Sequence, residues 1–210
     1  MRPLVTWVFN PCSVLHFEFC IACASAPSDS ATFSEVSVEC PALPDSATLK
    51  PVAKVYVETS FFSACVSRRT DPKTAGWRVT SNEWWATEAK RHELFISGEV
   101  IRELSVPTFP NVSTALEMVK GLSLLDLVGE VEDLADLLVI QRVMPGPATS
   151  GDALHVAAAT IYGMDYILTW NVKHLANPNK RTHFGIICMR LGLAAPMLIT
   201  PDLLQETENG

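Results

Sequence analysis

Positive charge in excess is what this 210-residue chain most plainly lacks: 16 Lys and Arg stand against 23 Asp and Glu, for a formal charge of −7. That balance argues against a nucleic-acid binder that coats phosphates with basic side chains, because such proteins owe their affinity to neutralising those phosphates. It leaves room for a metal-dependent nuclease. Carboxylates gathered in one pocket raise the negative count, while a bound cation reverses the local sign. Both glycine runs that cradle phosphates, GxGxxG and GxxxxGK[ST], are also missing, which sets aside a nucleotide-binding α/β domain. There is no internal repeat and no heptad run. The apolar stretch LVTWVFNPCSVLHFEFCIACASA is broken by Asn10, Pro11, His16 and Glu18. It is too interrupted to span a membrane, and it makes a poor secretory core despite its basic start and Ala-x-Ala-like end. Cysteine is scarce after residue 50, where only Cys65 and Cys188 remain. Cys20 and Cys23 form a CxxC, but no second pair at zinc-finger spacing follows and no βαβ pattern surrounds it.

What is present describes one globular domain with an appendage. Hydrophobic residues make up 48% and charged residues 19% of the chain, enough apolar material for a sizeable core. In the first fifty residues Arg2 and Lys50 face Glu18, Asp29, Glu35, Glu39 and Asp45, a net of −3, so the remainder carries −4. The segment PSDSATFSEVSVECPALPDSATLKP is rich in Ser, Pro and Ala without a sustained period, as in a linker. The expected organisation is a poorly ordered extension or mis-called start over 1–51, a folded domain over 52–206 and a flexible tail over 207–210.

Along the folded part, VAKVYV is a run of β-branched and aromatic residues that ends in Glu58, Thr59 and Ser60. A buried strand that ends in polar groups points to a site, since ligands in parallel α/β sheets bind at the carboxyl ends of strands. After a turn-like RRTDPKTAG, Ser81 is expected to cap a helix through NEWWATEAKRHEL, with Trp84 and Trp85 as core or dimer contacts. LFIS reads as a strand, Ser97 as a cap, and GEVIREL as a helix that places Glu99 and Glu103 on one face. Pro107 and Pro110 stop it. STALEMVKGLSLLDLVGEVEDLADLLVIQRV reads as helix, strand and helix, with Glu117, Glu130, Glu132, Asp133 and Asp136 solvated. Asp152 opens an alanine-rich helix, where the dipole and free amides favour an acid. Gly163 ends that helix, DYILTW is a buried strand, and Asn171 follows it. A last helix from about Arg181 or Phe184 to Leu191 and a terminal LITPDLL strand and turn complete the β/α alternation.

Glu58, Glu103, Asp152 and Asn171 thus form an ordered set of oxygen ligands able to face one end of the sheet. Mg²⁺ or Mn²⁺ takes such carboxylates plus retained waters and needs no His or Cys. A metal so held can deprotonate water and neutralise charge building on a phosphodiester. His155, one turn beyond Asp152, could orient a carboxylate or be a satisfied core or interface histidine. Asp165 reads as a turn residue and Trp170 as packing rather than base stacking. Arg68, Arg69, Lys73, Lys173, His174, Lys180 and Arg181 are candidates to rim a pocket and hold an RNA backbone.

KVYVETSFFS, FISGEVIREL, SGDALHVAAA and DYILTWNVKHLANP, in that order, resemble the PIN-domain proteins, especially the VapC-type toxins of bacterial toxin–antitoxin pairs. The resemblance covers about residues 54 to 204, and the last two motifs are its most specific part. It implies an α/β PIN-like domain with a central, mostly parallel sheet flanked by helices in three layers. It also implies a Mg²⁺- or Mn²⁺-dependent endoribonuclease, a homodimer, a cognate antitoxin and a cytoplasmic setting. Carried over by position, Glu58 stands for the family's first aspartate, Glu103 for its helix glutamate, Asp152 for its central aspartate and Thr169 for its threonine. Asn171 stands for the residue two beyond that threonine. Glu58, Glu103 and Asp152 are the implied metal ligands, with Glu99 as the alternative on the helix. Two departures matter. Glu58 is one methylene longer than the usual aspartate, and Asn171 is neutral where many relatives carry an acid, which favours one metal over two. The alternative expectation is a catalytically weak or inactive PIN module that binds RNA or protein.

Overall fold

Strand β1 (Lys54–Val57) is buried from Val55 onward and pairs on both edges. In the computed structural model, which describes residues 53–107, 109, 111–171, 173 and 178–205, it is the centre of a five-stranded sheet. β2 is Glu93–Ser97, β3 Ser123–Leu125, β4 Tyr166–Leu168 and β5 Met197–Ile199, in the order β3-β2-β1-β4-β5. Val55 sits opposite Leu94 on one side and Tyr166 on the other. Among the described residues every strand pairing is parallel, so the expected α/β class with a central, mostly parallel sheet holds. The expected extension over 1–51 and tail over 207–210 lie outside the described residues, as do Cys20, Cys23, Pro110 and His174. Among the described residues no helix is long and apolar enough to cross a membrane.

Helices fill the connections: α1 (Thr59–Val66) and α2 (Pro72–Thr87) between β1 and β2, then α3 (Gly98–Leu104) and α4 (Val112–Val119) between β2 and β3. α5 (Gly129–Ile140) and α6 (Asp152–Ile161) lead to β4, and α7 (Pro178–Leu191) leads to β5. The steps β1 to β2 to β3 run one way across the sheet, and the chain then crosses back beyond β1 to β4 and β5. Right-handed crossovers place helices of the two runs on opposite faces, giving three layers. Accordingly α1 packs on α2, α3 and α4, and α5 packs on α6. The neighbours β1 and β4 send their connections in opposite directions, so a crevice opens at their carboxyl ends.

Three local expectations are corrected. α2 starts at Pro72, nine residues before the expected Ser81 cap. Asp71 caps it, accepting from the Thr74 amide at 3.1 Å, and Pro72 fits the first helical position because its missing N–H would be an orphan there. Ser81 lies buried inside the helix. Ser97 stands at the N-cap position of α3, but its hydroxyl bonds Tyr56 Oη at 2.7 Å rather than capping the helix. α7 begins at Pro178, earlier than the expected Arg181 or Phe184. Trp84 is core as expected: fully buried, edge-on to Phe61, and donating from Nε1 to the Leu204 carbonyl at 2.6 Å.

Candidate functional site

The crevice is built first by the turn from β1 into α1. The Glu58 amide continues the strand ladder to the Leu168 carbonyl (3.1 Å), and its own carbonyl accepts from the Phe61 amide (3.0 Å) as the helix begins. Strand therefore passes to helix within one residue, and the Glu58 side chain is left at the sheet end, buried. Its Oε2 accepts from the hydroxyls of Ser60 and Thr169, the latter at 2.8 Å. Ser60 Oγ in turn accepts from the Trp170 amide (2.8 Å), and Thr169 Oγ1 from the Asn171 amide (2.9 Å). Two hydroxyls thus staple the segment after β4 to the end of β1, and both point their protons at one carboxylate oxygen.

Glu103 reaches the same place from α3. Its Oε2 accepts from Thr59 Oγ1 at 2.5 Å and lies 3.1 Å from His155 Nε2. Burial pushes the Glu103 carboxyl up, but the His155 bond and charge, with Thr59, outweigh this and hold it below the usual glutamate range. His155 is fully buried on α6, and its Nδ1 meets Tyr56 Oη at 2.7 Å. Burial lowers the imidazole's affinity for a proton, yet the Glu103 bond and the charges of Glu58, Glu103 and Glu99 raise its pKa on balance. Both charge states satisfy every partner. The neutral ring accepts from Tyr56, which accepts from Ser97; the charged ring reverses those two hydroxyls. Burial also raises Tyr56 far above the ordinary phenol range, so it stays protonated.

Glu58, Glu103 and His155 each offer one ligand atom within 4.8 Å of the other two. At that separation Glu58 and Glu103 would be able to hold one small divalent ion, directly or through water. The donor chemistry fits a hard cation: two carboxylates are available, and both His155 nitrogens already have partners, which makes the histidine an orienting group for Glu103.

Asp152 and Asn171 form the second half of the site. Asp152 is the first residue of α6 and accepts from Asn171 Nδ2 at 2.9 Å. Before it, Gly151 takes φ 71° and ψ −145°, a conformation only glycine adopts readily. The Gly151 amide donates to Glu99 Oε1 at 2.5 Å, and a Cβ at 151 would stand 3.9 Å from Glu103 Oε1. The start of α6 therefore hangs beside both glutamates of α3. Glu99, the alternative helix ligand, is occupied otherwise. Arg102 grips its two oxygens at 2.7 and 2.5 Å, and Arg102 with the Gly151 amide offsets the upward push of burial to leave its pKa low.

Of the four residues singled out in the sequence, the structure brings Glu58 to Glu103 and Asp152 to Asn171. Thr169 joins the two pairs, touching Glu58 and the Asn171 amide. Sequence reasoning marked Thr59 and Ser60 only as polar groups after β1 and gave them no partner, and it missed Tyr56 behind His155. YVETS right after a strand, and the three-residue step from Asp152 to His155, were the signals for them. Trp170 is buried packing, as expected.

No family model matches the chain, and no curated protein matches it. Among solved structures it is similar to VapBC2 from Rickettsia felis bound to a DNA fragment from their promoter, with a TM-score of 0.44 and 13% identity over 70% of this chain and 98% of that one. It is also similar to VapC20 of Mycobacterium tuberculosis, a sarcin–ricin loop cleaving toxin, with a TM-score of 0.44 and 17% identity over 59% of this chain and 95% of that one.

Proposed function

We propose that this chain is a PIN-type, Mg²⁺- or Mn²⁺-dependent endoribonuclease of the VapC kind, with Glu58, Glu103 and Asp152 as metal ligands, directly or through water, and Asn171 as the residue that positions water. The observation that carries the reading is the meeting of Glu58 and Glu103 at the topological switch point, where parallel α/β sheets bind their ligands. When bound, the metal would supply a deprotonated water and neutralise charge on the phosphate. The chain's own groups set the geometry. Thr59 and His155 fix one Glu103 oxygen, and Ser60 and Thr169 fix one Glu58 oxygen. Asn171 holds Asp152 by one oxygen, and its side-chain amide can donate to a water or phosphate oxygen and accept from a water. The attacking water oxygen forms a bond to phosphorus as the bond to the leaving ribose oxygen breaks, and that oxygen takes up a proton. By the same sequence resemblance the protein would form homodimers and be inhibited in the cytoplasm by a small antitoxin.

A second reading, a PIN module that binds without cutting, is favoured by one detail: the longer Glu58 gives one of its oxygens to two hydroxyls. The test that separates them uses the full chain and its Asp152→Asn variant, each incubated with mixed RNA in Mg²⁺, Mn²⁺ or EDTA. Cleavage by the parent alone, and only with metal, is the expected result. A folded, antitoxin-free parent that cuts nothing in either metal moves the reading to the binding module.

A further inference from the structure

The chain is acidic overall, yet residues 68–78 hold Arg68, Arg69, Lys73 and Arg78 against Asp71 alone. Two of these cations are used internally: Arg78 donates to the Ser67 carbonyl at 2.9 Å, and Arg69 pairs with Asp71 at 3.1 Å. Lys73 instead holds its ammonium 4.7 Å from the ring centroid of Trp77, one helical turn on. Trp77 is only half-buried, and it stacks on Trp170 with centroids 5.0 Å apart and planes 21° apart. Trp170 is rigidly held. Its Nε1 donates to Ser81 Oγ at 2.7 Å and its amide to Ser60 Oγ at 2.8 Å, and that same Ser60 hydroxyl reaches Glu58. A partly exposed indole, backed by a fixed ring and flanked by a lysine, therefore stands next to the acidic cluster.

These are the components by which proteins take up single-stranded nucleic acid, a stacking surface for a base and a cation for the backbone beside it. We propose that Trp77 is the stacking platform for a base of single-stranded RNA near the scissile bond, and that Lys73 leaves the ring to meet an adjacent phosphate. The proposal rests on the reading of the site as an RNA-cleaving one. Stacking needs no particular base, so the platform would hold the strand without dictating its sequence.

The test measures binding of an end-labelled single-stranded RNA of about ten nucleotides to the full chain in EDTA, where strand cleavage is suppressed. Trp77→Ala is expected to weaken binding about 5- to 150-fold, with Trp77→Phe recovering most of the loss. Lys73→Gln is expected to lower the slope of log Kd against log salt by about 0.7, and it serves alone should Trp77→Ala fail to fold. Unchanged affinity in folded Trp77→Ala, an unchanged salt slope in Lys73→Gln, equal affinity for a duplex, or no binding by the parent would each overturn the platform. The two readings fail separately. A parent that binds through Trp77 but never cuts keeps the platform and loses the nuclease, whereas cleavage with unaltered KM in Trp77→Ala does the reverse.

Discussion

At residue 151 backbone geometry and electrostatics act on one atom group. Gly151 sits in a conformation that a Cβ makes strained, and its N–H is aimed at Glu99, so the first turn of α6 is delivered to the crevice at a fixed angle. Gly151→Ala should cost about 1–3 kcal/mol in a denaturant titration from strain alone. An alanine that leaves the unfolding midpoint unchanged would show that the turn relaxes freely. Glu99→Ala removes the acceptor of a partly buried N–H and the anion beside Arg102, and a loss of about 1–3 kcal/mol is expected. The pH dependence has a definite sign. The Glu99 carboxyl is held low by Arg102 and the Gly151 amide against the upward push of burial. Its contribution is therefore complete above the unfolded glutamate pKa of about 4.3 and fades as pH falls through the lower folded value. Glu99→Gln keeps an acceptor for Gly151 but loses the charge. Its stability deficit should thus shrink below about pH 4, and a deficit that persists in acid would mean that shape, not charge, is what Glu99 provides.

At the level of elements, most of the fold was legible because most elements carry an uninterrupted pattern. β1 is a solid β-branched and aromatic run, α6 a block of alanines closed by a glycine, and α3 a short amphipathic turn stopped by Pro107. α2 was misread because RRTDPKTAG contains both turn residues and a helix start, and only the cap decides between them: Asp71 before Pro72 is a better start than Ser81 before Asn82. Ser81 is needed elsewhere, as the acceptor for Trp170. Asp71 itself is held below the ordinary aspartate range, first by the Thr74 amide and then by the Thr74 hydroxyl. Asp71→Ala should lower the melting temperature by a few degrees at neutral pH. The charge-dependent part of the difference should begin to shrink as pH drops below the unfolded aspartate value of about 3.9 and fade further as pH falls through the lower folded value. The candidate site was legible one residue at a time: Glu58 follows β1, Asp152 begins α6, and Glu103 stands on a short helix one turn from Glu99. The hydrogen bonds of its hydroxyls were not, because Thr59 meets Glu103 only when α3 is folded against the start of α1, and Ser60 and Thr169 meet on Glu58 only when β4 is laid beside β1, a pairing 111 residues apart in sequence for Thr169 and Glu58.

For the molecule as a whole, the order β3-β2-β1-β4-β5 decides where charge collects. The reversal between β1 and β4 opens one crevice, and segments from β1, α3, α6 and the end of β4 all deliver polar groups to it. Two carboxylates with oxygens within 4.8 Å of each other repel, and His155 opposes that repulsion only in part. A divalent cation would remove it, so stability should depend on metal even where no RNA is present. At a hundred times its Kd an ion that binds only the folded state stabilises by about 2.7 kcal/mol, which for a chain of this size raises the melting temperature by roughly 5–10 °C. Glu58→Gln keeps an acceptor for Ser60 and Thr169 but removes one ligand charge. With that repulsion relieved it should melt at or above the metal-free parent in EDTA and lose most of the shift in Mn²⁺ or Mg²⁺. An equal shift in parent and variant would place the ion elsewhere, and no shift in the parent would deny the crevice a metal altogether.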